Sequence, residues 1–210
     1  MSYMVRNNPG DESLKWIEFE HLEDAKLFAD EMLRYGSIVK DEAGNTVYAP
    51  AGEVAAEILY NAKLVCDYVR DNEFDYGNAP INPGMNHDAK LVSCDRMVGW
   101  TFYKMGLTDQ PEVMGLCVLG PSLYEWCLAH NSVKIDNQKD LQPGDVVFVR
   151  ANAVSGYPEH TYIFAGYSDE EGMFYRYDCG TVARIRSTQP SCEIIKDFMF
   201  ATRMTKLPEV

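Results

Sequence analysis

Residues 92–106 read VSCDRMVGWTFYKMG, and this stretch decides the fold. A β-branched residue and a serine precede a cysteine. From there apolar residues recur at helical spacing until Gly106, a natural helix stop. The pattern predicts a helix that begins at Cys94, with Ser93 as its N-cap. A cysteine in the first turn of a helix meets free backbone N–H groups and the positive end of the helix dipole, both of which favour a thiolate. The same N–H groups suit an oxyanion developing on a substrate carbonyl.

Outward from that helix, the two sides of the chain differ in texture. Upstream, AGEVAAEILYNAKLVCDYVRDN (51–72) carries Val54, Ala55, Ile58, Leu59, Ala62, Val65, Cys66 and Val69 at helical spacing. The loop FDYGNAPINPGMNHDAK (74–90), rich in Gly, Pro and Asn, follows it. Downstream, SLYEWCLAH (122–130) predicts a short third helix, and from residue 140 the pattern becomes β-rich. DVVFVR, HTYIFAGY, MFYRYD, TVARIRS and FMFATRM are strand-like runs separated by turn residues, and QPGD (142–145) is a turn signal before the first. Helices followed by a late antiparallel sheet predict an α+β fold over 51–210. The first fifty residues read differently. KWIEFE is a strand, HLEDAKLFADEMLRYG an amphipathic helix closed by Gly36, and SIVKDEAGNTVYAP a hairpin, after a frayed polar start at 1–13. This predicts a small β-α-β-β module over 1–50 with no catalytic constellation of its own.

A nucleophilic thiol needs a base, and the base needs a group that orients it. His160 opens the run HTYIFAGY, and Asp178 ends the next run, MFYRYD. If the two runs pair as a hairpin, the end of one strand adjoins the start of the other, so Asp178 reaches the His160 ring. Tyr177 is the alternative at that place. His87, in the loop before Cys94, reads as an exposed loop residue, and His21 and His130 lie on helices away from these motifs. Cys66, Cys117 and Cys127 sit among apolar neighbours as small buried hydrophobes. Trp100 and Phe102 read as core, Asp145 as a turn former, and Arg184 and Arg186 as a solvated strand face. A buried structural thiol remains the plain alternative for Cys94.

The set of motifs resembles the NlpC-type and CHAP-type cell-wall hydrolases. VSCDRMVGWTFYKMG resembles their nucleophile helix, LQPGDVVFVR the strand before their histidine, and HTYIFAGY their base strand. AEILYNAKLVCDYVRDNEFDYGNA is similar to their leading helix and Tyr-Gly loop, so the resemblance runs over roughly 52–205 in the family's order. It implies a papain-like fold cleaving amide bonds of peptidoglycan stem peptides or a related amide. Cys94 is then the nucleophile, His160 the base, Asp178 the third residue, and Tyr76 the loop tyrosine that lines the cleft. Neither metal nor cofactor is implied. Where these enzymes commonly show Asp-Cys-Ser-Gly, this chain has Ser93-Cys94-Asp95-Arg96. The acid that recognises a free substrate amine is missing or displaced to Asp95.

Composition bounds the rest. The chain has 210 residues, 46% hydrophobic and 24% charged, with a formal net charge of −13. That charge disfavours nucleic acid and anionic membrane surfaces as partners. No apolar run approaches a membrane span, and MSYMVRNNPGDE has no apolar signal core. This predicts a protein that is cytoplasmic when made and is released by lysis or carried in a phage particle. Two other classes keep the same fold: a catalytically silent binding or structural module of a larger assembly, and a cysteine-dependent acyltransferase or deamidase.

Overall fold

The computed structural model describes residues 2–7, 15–77, 90–108, 123–151, 156–168, 174–179, 183–188, 195 and 197–207, with residues 151 and 183–188 described by backbone alone. His87, Cys117, Cys192 and Gly180 lie outside the described residues, as do the side chains of Arg184 and Arg186.

The N-terminal module contains one strand more than its pattern predicts. β1 (Tyr3–Arg6) pairs antiparallel with β2 (Trp16–Phe19) and, on its other side, with β3 (Val39–Lys40). β3 also pairs with β4 (Thr46–Tyr48), giving the order β2-β1-β3-β4. The module is thus β-β-α-β-β, and residues 3–6, read as frayed from sequence, form an interior strand. Val5 explains why: it is fully buried with Ala25, Ala29 and Val39 beneath α1 (Leu22–Glu31). Four residues carry little local signal, and the pairing that stabilises them comes from residues 34 and 36 positions away. Leu27 of α1 is 65% exposed, on the side of the helix away from Ala25 and Ala29.

The chain leaves α1 through a 3₁₀ turn at Leu33–Tyr35 and ends it at Gly36, whose φ of 73° is left-handed. A Cβ there would stand 2.1 Å from the Ala56 carbonyl oxygen and 2.6 Å from the Tyr60 nitrogen, so glycine lets the module touch the backbone of α2 (Glu53–Asp71). Arg6 secures the same contact. Its guanidinium donates to the Gly36 carbonyl at 2.6 and 3.0 Å and to the Ala56 carbonyl at 3.2 Å, pairs with Glu57 at 2.6 Å, and lies 4.3 Å over the Tyr60 ring. Packed by the module on one side and the main sheet on the other, α2 buries polar residues too. Lys63 and Asp67, four positions apart, neutralise each other there.

After α2, the short strands β5 (Asp75–Tyr76) and β6 (Leu91–Val92) pair in parallel and lead into α3 (Cys94–Lys104). α4 (Leu123–Ala129) follows. The main sheet comprises β7 (Ser132–Ile135), β8 (Val146–Ala151), β9 (Pro158–Tyr167), β10 (Phe174–Cys179), β11 (Ala183–Thr188) and β12 (Phe198–Met204). Its order is β11-β10-β9-β8-β12-β7, with every neighbouring pair antiparallel. The architecture is therefore α+β, and every helix and strand predicted over 51–210 is present.

Strand alternation divides the core. Phe148, Ile163, Ala165 and Tyr177 face α2, α3 and α4, where they meet Leu59, Val65, Met97, Trp100, Phe102 and Cys127. Val147, Val149, Tyr162, Phe164 and Phe174 form a second cluster on the other face. Because both faces are apolar, β8 and β9 read as near-continuous hydrophobic runs. Asp145 of the QPGD turn is structural: it is fully buried and accepts two 2.8 Å hydrogen bonds from Arg203 and one from the Gln142 N–H. Among the described residues no helix is long and apolar enough to cross a membrane.

Candidate active site

Cys94 is placed by three elements. The β5–β6 register sets Tyr76 beside Val92, and Gly77 N–H donates to the Val92 carbonyl at 3.0 Å, so the tyrosine stands next to the start of α3. The third element is β9, whose Thr161 N–H faces the sulfur. That N–H belongs to the peptide joining His160 to Thr161, which brings the thiol to the backbone of the predicted base. Tyr76 is half exposed and its hydroxyl reaches the Cys94 thiol, whereas Cys94 itself is only 4% exposed.

The electrostatics of this pocket differ from the sequence expectation. Burial pushes the Cys94 thiol up to about 11, and the Asp95 carboxylate adds to the rise. The Thr161 N–H, the Tyr76 hydroxyl and the Asp95 N–H oppose it. The helix start acts in the predicted direction, but desolvation outweighs it. At rest Cys94 is a neutral thiol. Tyr76 rises as well, chiefly by burial and then through Cys94.

Ser93 occupies the N-cap, with φ −104° and ψ 170°, yet its hydroxyl does not cap a helix N–H. It donates instead to Oδ1 of Asp95, a carboxylate buried in the first turn of α3. Asp95 therefore lies beside Cys94, already holding one hydrogen bond from the chain.

His160 and Asp178 come together as the hairpin argument predicts. Arg176 pairs with Phe164 and Tyr177 with Ile163 across β9 and β10, so one step further Asp178 stands diagonal to His160 on a shared face. His160 Nε2 lies 3.0 Å from Asp178 Oδ1, a close charge contact whose N–H is not aligned as a hydrogen bond. Tyr177 points the opposite way, into the helix-side core, and its hydroxyl donates to the Arg34 carbonyl at 2.8 Å. Asp178, not Tyr177, is the partner of His160. No hydrogen bond joins the His160 ring to Cys94.

Arg176 was not anticipated. Its Nη2 sits 3.0 Å from Asp178 Oδ2, and its guanidinium lies 4.7 Å over the Tyr162 ring. Opposite charges two residues apart in FYRYD, on one face of a strand, were the available signal. Cys179 was also passed over. It is buried on the helix side of β10 with its sulfur 3.6 Å from the Val92 carbonyl, close enough for Cys94 to raise its pKa. His130 stacks on Trp126 at 4.1 Å and takes no part in the site. Among the described residues no group of three or more His, Cys, Asp or Glu side chains is arranged to hold a metal ion.

Comparison of the chain with protein-family models, with curated proteins and with solved structures returned no match.

Proposed function

We propose that this chain is a cysteine hydrolase of amide bonds built on a papain-like, NlpC/CHAP-type domain, with Cys94 as nucleophile and His160 as base. One observation carries the reading. Sγ of Cys94 opens α3 while facing the N–H of the His160–Thr161 peptide, and Nε2 of the His160 ring lies 3.0 Å from a buried carboxylate. Nδ1 is then the ring nitrogen left to take the thiol proton.

In the first half-reaction His160 removes the thiol proton as sulfur attacks the carbonyl carbon. N–H groups of the first turn of α3 receive the oxyanion. Collapse breaks the C–N bond, and the imidazolium returns its proton to the leaving amine. In the second half, His160 takes a proton from water, whose oxygen attacks the thioester, and the thiol leaves reprotonated. On the ladder His160 lies on the face with Tyr162 and Val149, away from the helix side where Cys94 is buried, so proton transfer to its ring requires a rearrangement at the start of β9 in the substrate complex. The substrate class, a peptidoglycan stem peptide or related amide, rests on the resemblance of the motifs. We assign recognition of a substrate amine to Asp95, the carboxylate next to Cys94, and a released or phage-carried lysin is the setting that fits such a substrate.

The test is incubation of the protein and its Cys94→Ala variant with purified peptidoglycans of several chemotypes, followed by mass spectrometry of soluble fragments. New termini from the wild type alone support the reading, while no release from any chemotype removes the wall as substrate. A second reading, a papain-like binding module, is favoured by the missing Cys94–His160 hydrogen bond and the slight exposure of Cys94. It predicts stoichiometric binding with no new termini.

A further inference from the structure

His160, Tyr162, Arg176 and Asp178 share one face of the β9–β10 ladder, so the carboxylate meets a different side chain on each oxygen: His160 at Oδ1 and Arg176 at Oδ2, both at 3.0 Å. Asp178 is 1% exposed. A carboxylate so far from water stays ionised only against a fixed positive charge. Neutral imidazole supplies none, whereas a guanidinium is charged at every working pH. Arg176 is itself held in place, stacked over Tyr162 at 4.7 Å and near Phe174 at 6.0 Å. Its Nε is buried without a hydrogen-bond partner, so the side chain is sited for Asp178 at the expense of one of its own donors.

We propose that Arg176 is a positioning residue for His160: by engaging Oδ2 it keeps Asp178 charged and turns Oδ1 toward Nε2, which leaves Nδ1 free to accept a proton. This deepens the hydrolase reading and rests on it for the identity of the proton donor. The Arg176–Asp178–His160 coupling stands on the geometry alone. Arg176 has a second effect, because its charge limits how strongly Asp178 favours the imidazolium. The other groups on this face are Tyr162 from β9 and the cross-strand Val149 from β8, while Cys179 from β10 and Cys66 from α2 feel the Asp178 charge from the helix side. None of these is a cation that would replace Arg176.

The experiment is a ring titration by NMR on protein labelled at its four histidines, with the His160 signal assigned by its loss in His160→Ala. In Arg176→Met the imidazolium is the one cation left to hold the buried carboxylate, so the pH at which the His160 ring titrates is expected to rise by about one unit, roughly a tenfold change in the protonation ratio. Arg176→Lys, which keeps the charge, is expected to stay within a few tenths of a unit of wild type. Arg176→Gln replaces the Met variant if the latter does not fold. An unmoved titration in the folded neutral variant overturns the proposal, as does a Lys variant displaced as far as the neutral one. Where amide cleavage is measurable, the acid limb of kcat/KM moves with the ring. A wild type that cleaves nothing while its ring titration responds to Arg176 refutes the hydrolase reading and keeps the coupling.

Discussion

Alkylation of Cys94 by iodoacetamide should gain about tenfold per pH unit from pH 7 to about pH 10, because the thiolate is the reacting form. With the thiol pushed up to about 11 from an ordinary 9.0, the neutral form is favoured by two pK units, or about 2.7 kcal/mol. At pH 7 roughly one molecule in ten thousand carries the thiolate, against about 1% for a free cysteine. Desolvation is the main cause, consistent with 4% exposure, and Asp95 is the second. The assay is timed alkylation at a series of pH values, with each cysteine quantified by peptide mass spectrometry. Among the described thiols Cys94 should react first, since burial pushes Cys127 up to about 12 and raises the fully buried Cys66 and Cys179 as well. Tyr76→Phe removes a hydroxyl that favours the thiolate and should slow Cys94 about two- to tenfold at each pH. A rate already flat between pH 7 and pH 8 would reveal a preformed thiolate–imidazolium pair and refute the neutral-thiol ground state.

Other consequences can be checked on the folded protein alone. Gly36→Ala forces a Cβ to 2.1 Å from the Ala56 oxygen at a φ of 73°, and should cost about 3 kcal/mol or more in urea unfolding; an unchanged midpoint would contradict the close approach. Arg203→Met strands the fully buried Asp145 carboxylate and should cost about 3–5 kcal/mol, with Asp145→Asn in the same background recovering part of the loss. Between pH 9 and pH 11 the unfolded chain releases the Cys94 proton while the folded chain keeps it, so stability falls with rising pH. Cys94→Ala should remove about 2.7 kcal/mol of that fall, and an identical alkaline slope in the variant would contradict the raised thiol.

Helical and strand periodicity made the second unit legible. Gly106 ends α3, with Cys94 at its start, and the runs around His160 and Asp178 pair as adjacent strands. Local pattern could not supply what depends on partners distant in the chain. β1 is stabilised by pairing with Lys40 and Val39, and β5 and β6 are two-residue strands whose pairing spans the loop between them. The state of the thiol was misjudged for a related reason. The helix start is written in the sequence around Ser93 and Cys94, but the burial that outweighs it comes from β9, β10 and Tyr76 closing over the sulfur. Ser93 likewise looked like a cap until its hydroxyl found Asp95 two residues on. Arg176 was visible as a charge on a strand, though its pairing with Asp178 needed the side-chain geometry.

The central claim is that Cys94 forms a bond to substrate. Mixing the protein with soluble wall-derived peptides, quenching in acid within one turnover and measuring intact mass tests it directly. The account predicts an acyl adduct that maps to Cys94, is sensitive to hydroxylamine as a thioester, and is absent from Cys94→Ala. Peptide cleavage that continues in Cys94→Ala, with no adduct on the wild type, would contradict it.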